Sequence, residues 1–248
     1  MPVGKADLHI HTRVSDGMAT IEAVLAYVQE HTDLDLIAVT DHEDVTGGLR
    51  ARELAARRGY RFDVAPGAEV TTLQGHLLGI GIEVTPKSFR RVESTLEMIH
   101  SQDGVAIVPH PMSWLTRSLS ERTIARICER GEAGVTFDGI ETANPSPAGK
   151  VRRRRVLHRN RADWRLAETG SSDAHHLAHI GTGWTEFEGI GFAALRQAIG
   201  ARATRGAMTR YPSLREVGYG QVAMGLAWGY AATPRKVAAG MARRWRRR

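Results

Sequence analysis

The sequence predicts an α/β barrel, and three observations carry that expectation. Short apolar, β-branched runs alternate with helical-period segments around seven times over residues 1–200, as in a parallel sheet wrapped by helices. Histidines and carboxylates recur where those runs end. In a barrel of parallel strands such ends converge on one face, whereas an open sheet would spread them along an edge.

Taken in order, ADLHIH (6–11) reads as a strand and TIEAVLAYVQEH (20–31) as a helix with Thr20 as its N-cap. LDLIAVTD (34–41) is a second strand, and TGGLRARELAARRG (46–59) a helix closed by Gly59. RFDVAPGAEVTT (61–72) and HLLGIGIEV (76–84) follow as strands, the second starting just after Gly75. SFRRVESTLEMIHSQDG (88–104) is a helix ending at Gly104, and VAIVPHP (105–111) a strand. LSERTIARICERG (119–131) is helical, with Ile124, Ile127 and Cys128 on one face as core residues. FDGIETAN (137–144) is a strand and AGKVRRRRVLHRNRADWRLAE (148–168) one long basic helix. TGSSDAHH (169–176) is a last short strand, and GFAALRQAIG (191–200) a closing helix. The domain is therefore expected over 1–200, with 201–248 as a short basic helical extension.

The net charge of +7 is unevenly placed. Residues 201–248 hold eleven Arg/Lys and one acid, Glu216, which leaves 23 basic and 26 acidic side chains in residues 1–200. The basic character belongs to the tail. The single cysteine excludes an internal disulfide and a thiolate zinc cluster, and it fits a reducing, cytoplasmic setting. The uncharged run Val217–Thr233 falls short of a transmembrane span. It reads as a helix packed on the barrel or on a partner subunit. The alternative is a peripheral contact of residues 217–248 with an anionic surface, anchored by Trp245 and arginines.

The polar clusters carry the chemistry. His9 and His11, alternating on a strand, face the same side and suit one divalent ion. Asp41 and His42 end the second strand, and Glu69 ends the third. His76 begins the next, His110 ends VAIVPHP, Glu141 ends FDGIETAN, and Asp173 and His175 end the last. A His/carboxylate set without sulfur favours a catalytic metal site over a closed structural one.

The ordered series DLHIHTRVSDG, AVTDHE, GAEVTT, HLLGIGI, VPHP, GIETAN and SSDAH resembles the motifs of the polymerase-and-histidinol-phosphatase (PHP) family over residues 5–185. The resemblance implies a distorted barrel of seven β/α units holding two to three Mn, Fe or Zn ions. It implies His9, His11, Glu69 and Asp173 on the first ion. Glu69 bridges to a second with His76 and His110, and Asp16, His42 and His175 hold the third. The expected reaction is hydrolysis of a phosphomonoester, a nucleotide or an oligonucleotide end by a metal-bridging hydroxide. Asp7 and Asp41 are expected behind the ligands, orienting imidazole N–H groups. Arg13 and Arg117 are candidate phosphate clamps. The motifs are similar to the stand-alone branch that acts on nucleotide bisphosphates or RNA ends. There a long insertion separates the His76 and His110 strands, and here only residues 83–104 intervene. The other function class is a binding module that holds nucleic acid or an acidic partner through the barrel and the basic tail. VRRRRVLHR (151–159) reads as a solvated helix face, since consecutive arginines point 100° apart on a helix.

Overall fold

The computed structural model describes residues 2–220 and 223–224. Nine strands form one mixed sheet, β1 (Val3–Ile10), β2 (Leu36–Val39), β3 (Asp63–Thr71), β4 (His76–Ile80), β5 (Val105–Val108), β6 (Gly139–Ala143), β7 (Ala167–Gly170), β8 (Gly183–Glu188) and β9 (Arg205–Met208). The helices are α1 (Ile21–His31), α2 (Thr46–Arg58), α3 (Val92–His100), α4 (Glu121–Arg130), α5 (Pro147–Lys150), α6 (Arg153–Arg159), α7 (Gly191–Gly200) and α8 (Leu214–Val217). Local chemistry sets many of these ends. The Thr20 and Ser120 side chains cap α1 and α4, and Gly59 ends α2 in the left-handed region at φ 62°.

The sheet order is β7-β6-β5-β4-β3-β2-β1-β8-β9, and it curls almost shut. At one end the chain beyond β7 meets β1: Ile10 bridges Ala174, the His11 N–H donates to the Ala174 carbonyl at 2.9 Å, and the Ala174 N–H donates to the His9 carbonyl at 3.1 Å. Toward the other end β8 runs antiparallel along Val3–Ala6, and β9 pairs with β8. Ala6, Leu8, Ala38, Ile80 and Ile107 fill the interior, with Leu195 and Ile199 of α7 packed against them. Outside, α1 and α2 pack on Ile37 and Val39, while α3 and α4 pack on Val70, Leu77 and Val108.

Several expectations need correction. The sheet is not wholly parallel: β4 is antiparallel to both β3 and β5, because Thr72–Gly75 makes a tight hairpin that sets Thr71 opposite His76. The reversal brings the start of β4 to the mouth where the other strands end. The long basic helix is broken into α5, α6 and a π-helical turn over Asn160–Trp164, with Arg152 in the left-handed region at φ 55°. Ser146, the cap of α5, lies 3.1 Å from the Asp173 carboxylate, so the first turn is pinned to the mouth and the chain must bend before Val156 and Trp164 can reach the core. The last strand starts earlier than expected and ends at Gly170, leaving Asp173 and His175 beyond it. The sheet also passes residue 200, since β9 extends it to Met208. Cys128 is half-buried against the core. Most of the tail, Trp245 included, lies outside the described residues.

Glycines allow the seam between β7 and the β8–β9 pair. A Cβ on Gly170 would stand 2.2 Å from the Trp184 carbonyl oxygen. The seam is bonded through side chains: the Thr185 hydroxyl donates to the Gly170 carbonyl at 2.8 Å, and Thr204 donates to the Glu168 carbonyl at 2.9 Å. Gly170→Ala is expected to destabilise the fold by about 1–3 kcal/mol, as overpacking does. The drop should appear as a lower urea midpoint with an unchanged m-value.

Candidate metal centre

The mouth is shaped by departures from regular strand geometry. One extra residue enters β1 between Asp7 and Ile10 relative to β2. Below this bulge Ala6 and Leu8 join the interior, whereas above it Ile10 turns to the α1–α2 layer and His9 and His11 face the mouth. A second register shift falls between Glu141 and Ala143 of β6. His110 and Asp173 hold backbone angles in the left-handed region, φ 29° and 54°, the local strain often found at functional sites.

Glu69 sits at the centre. Its Oε1 is 2.7 Å from His76 Nδ1 and 2.9 Å from His110 Nε2. Its Oε2 is 3.2 Å from His9 Nε2, 3.4 Å from His11 Nε2 and 3.4 Å from His42 Nδ1. Asp16 faces His175 at 3.3 Å, His42 at 3.5 Å and His11 at 3.5 Å. Asp173 Oδ1 lies 3.6 Å from His9, 3.7 Å from His11 and 3.7 Å from His175. All nine residues picked from the sequence thus come together. Their atoms form four overlapping groups, each spanning no more than 4.8 Å: His11, Asp16, His42 and His175; His9, His11 and Asp173; His9, Glu69 and His110; and His42, Glu69 and His76.

The electrostatics are those of a crowded, dry ring. Burial would raise the Glu69 carboxyl, yet His76, His42 and His9 hold it well below the ordinary range. Burial likewise works against the Asp16 charge, and His175 and His11 overcome it. Against burial, Asp173, Glu69 and Glu141 keep the His9 imidazole well above its usual pKa, and Asp16 holds His175 up to about 10. His11 goes the other way: burial, reinforced by His175 and His42, presses it well below. Both of its ring nitrogens, and Asp16 Oδ1, are buried without a hydrogen-bond partner. A neutral imidazole with buried, unbonded nitrogens between carboxylates is the donor set a divalent cation accepts, so the residues fit a metal.

Other expected residues fall differently. Asp7 does not orient an imidazole. Its carboxylate accepts the backbone N–H groups of Ser172 and Gly181, both at 2.9 Å, and burial lifts its pKa to about 6. Asp41 accepts the Thr12 N–H at 2.8 Å and the Thr12 hydroxyl at 2.7 Å, which folds the loop carrying Asp16. The carboxylate that does orient an imidazole is Glu141. It sits 3.0 Å from His9 Nδ1, accepts the His110 backbone N–H at 2.6 Å, and bonds the Ser171 hydroxyl and the Asn144 amide. Its place at the end of a strand was the signal that could have marked it. Arg13 is exposed, its Nε donating to the Met18 carbonyl at 2.9 Å; it lines a cleft with Tyr27 and His176 outside the ring. Arg117 lies over the Phe89 ring, 5.8 Å from its centroid. Tyr211, past β9, stacks on His179 with centroids 4.0 Å apart. Three arginines of the basic segment have internal partners: Arg153 donates to the Thr142 carbonyl, and Arg155 and Arg159 pair with Glu121.

A curled mixed sheet with a ring of six imidazoles and three carboxylates at one mouth is the arrangement of a barrel protein able to hold divalent cations. The PHP-associated family matches residues 157–204. An uncharacterized protein of Methanocaldococcus jannaschii is 31% identical over 152 residues, covering 56% of this chain and 81% of that protein. The 3′,5′-nucleoside bisphosphate phosphatase of Chromobacterium violaceum is 43% identical over 82 residues, covering 31% of this chain and only 27% of the enzyme. In shape the chain is similar to a two-domain Bacteroides vulgatus protein containing a PHP-like metal-dependent phosphoesterase, with a TM-score of 0.65 and 19% identity over 84% of this chain and 65% of that one. The chain belongs to the PHP family of metal-dependent phosphoesterases.

Protons and cations compete for the same lone pairs here, so metal uptake is expected to release protons and to strengthen with pH. Added Mn or Zn should raise the melting temperature more at pH 8 than at pH 6. At a hundredfold excess over Kd the stabilisation should approach about 2.7 kcal/mol. Scanning fluorimetry with and without a chelator measures the shift, and calorimetry in two buffers measures the proton release.

Proposed function

We propose that this chain hydrolyses phosphate esters, taking a phosphomonoester, a nucleotide or an oligonucleotide end at the mouth of the barrel. The observation that carries the reading is Glu69, one buried carboxylate whose two oxygens face different sets of imidazoles. That geometry suits a carboxylate shared between two ions. His9, His11 and Asp173 would complete one site with Glu69, His76 and His110 the next, and Asp16, His42 and His175 a third. Two to three ions of Mn, Fe or Zn suit imidazole and carboxylate oxygen together. When bound, such ions supply positive charge for the phosphoryl oxygens and lower the pKa of water.

The chain's own residues do the rest. Glu141 sets the His9 ring from behind and fixes the His110 backbone, and the Ser118 hydroxyl sits 2.8 Å from His110 Nδ1. Asp41 ties down the loop that presents Asp16. The mouth has no capping domain across the β4–β5 connection, where α3 is the sole helix, so the ring admits substrates of varied size. Arg117 stands at that rim to receive a phosphate or a base. The cytoplasmic setting rests on the single free thiol, Cys128, which burial pushes up to about 11 and so keeps unreactive. No described helix is long and apolar enough to cross a membrane.

His9→Ala, Glu69→Ala and Asp173→Ala are each expected to cut turnover of p-nitrophenyl phosphate with Mn or Zn by about 10²–10³-fold or more, with circular dichroism unchanged. Metal analysis of the wild-type chain should return two to three ions. Full activity in the Glu69→Ala protein would overturn the bridged-ion reading.

A further inference from the structure

The rim of the mouth is apolar on one side. Four large hydrophobic side chains, Leu73 (59% exposed), Phe89 (44%), Trp114 (74%) and Leu115 (49%), stand on three loops beside His76 and His110. The loops are bonded into one structure. The Leu73 N–H donates to the Arg90 carbonyl at 2.8 Å, the Phe89 N–H to the Thr71 carbonyl at 2.7 Å, and the His76 N–H to the Arg117 carbonyl at 2.9 Å.

The loop bearing Trp114 has a firm base. The Met112 N–H donates to the Leu119 carbonyl at 3.0 Å, and the Ser118 hydroxyl holds His110. Gly75, at φ 151°, lets the β3–β4 turn press on this base, since a Cβ there would lie 2.5 Å from the Leu119 nitrogen. A tryptophan left this exposed, on an anchored loop that begins at His110, is an aromatic face free to meet a ligand. Cations stand on the same and the neighbouring loop: Arg117 lies over Phe89, and Arg90 is exposed beside Phe89 in the chain.

Flat aromatic faces with interleaved guanidinium groups bind nucleobases by stacking and cation–π attraction, with little regard to base identity. The cations match the phosphate of the same ligand. A partner protein seated on this patch would have to desolvate two guanidinium groups. We propose that Trp114, supported by Phe89 and Arg117, is a base-stacking platform by which this chain selects nucleoside phosphates over esters that lack a base. The proposal rests on the phosphoesterase reading of the ring.

Adenosine 5′-monophosphate and ribose 5-phosphate share phosphate and sugar and differ only in the base. In the Mn-loaded full chain, Trp114→Ala is expected to lower kcat/KM for the nucleotide roughly 5- to 150-fold, the range of one lost base stack. It should leave ribose 5-phosphate within about twofold. Tryptophan fluorescence should be quenched by the nucleotide and not by ribose 5-phosphate, and the quench should vanish in Trp114→Phe. Equal effects on both esters, or no effect on either, would overturn the platform. So would a Trp114→Ala protein that changes its sedimenting mass while keeping its substrate preference, because the patch would then join copies of the chain. If the wild-type chain turns over neither ester, the phosphoesterase reading fails. The fluorescence comparison still decides the platform, for or against.

Discussion

The carboxylate of Glu69 is buried to 1% exposure and meets five imidazoles within 3.4 Å. An ionised carboxylate in such a place is costly unless it is paired on every side, and removing one partner leaves a buried charge uncompensated. Each member of the ring therefore supports the charge state of the others. The architecture serves that constraint. The β1 bulge turns His9 and His11 into the mouth, the β3–β4 hairpin returns the chain so that His76 faces Glu69, and His110 and Asp173 accept left-handed backbone angles to reach it. Local regularity is given up at the mouth while the apolar interior below keeps the barrel together.

Around the ring, carboxylates of the same chemistry have divided roles. Glu141 holds the His9 ring and the His110 backbone, Asp41 folds the loop bearing Asp16, and Asp7 binds the loop after β7 to β1. Their environments set these roles. Full burial pushes the Asp7 carboxyl upward against the backbone N–H groups that favour its charge, whereas Asp16, Glu69 and Glu141, set among imidazoles, shift downward. A metal ion entering the ring would meet ligands already oriented by this outer layer, which limits the conformational entropy lost on binding.

The charge of the chain has two separate meanings. The ring is acidic and imidazole-rich and suits cations, while its rim on the His76–His110 side adds Arg90 and Arg117 among exposed apolar side chains. The arginine run near residue 152 is partly consumed by Glu121 and by the Thr142 carbonyl. What looks in the sequence like one basic stripe is in part the packing of a broken helix against the barrel.

The sequence by itself determined the barrel class and most of the strands and helices, which are written in local pattern: alternation of apolar runs, and caps such as Thr20 and Gly59. Polar side chains set where apolar runs stop marked the mouth, and the resemblance to the PHP motifs picked the nine ring residues among them. Tertiary structure alone decided the direction of β4, the pairing of β8 with β1 and of β9 with β8, and the break at Arg152. It also decided that Glu141, and not Asp7, stands behind His9. The closure by β8 and the partners of His9 and Asp7 depend on contacts between residues more than a hundred positions apart, such as Lys5 with Glu186, His9 with Glu141 or Asp7 with Ser172. A carboxylate has the same local signature whether it meets an imidazole or a backbone N–H, and only the closed barrel chooses its partner.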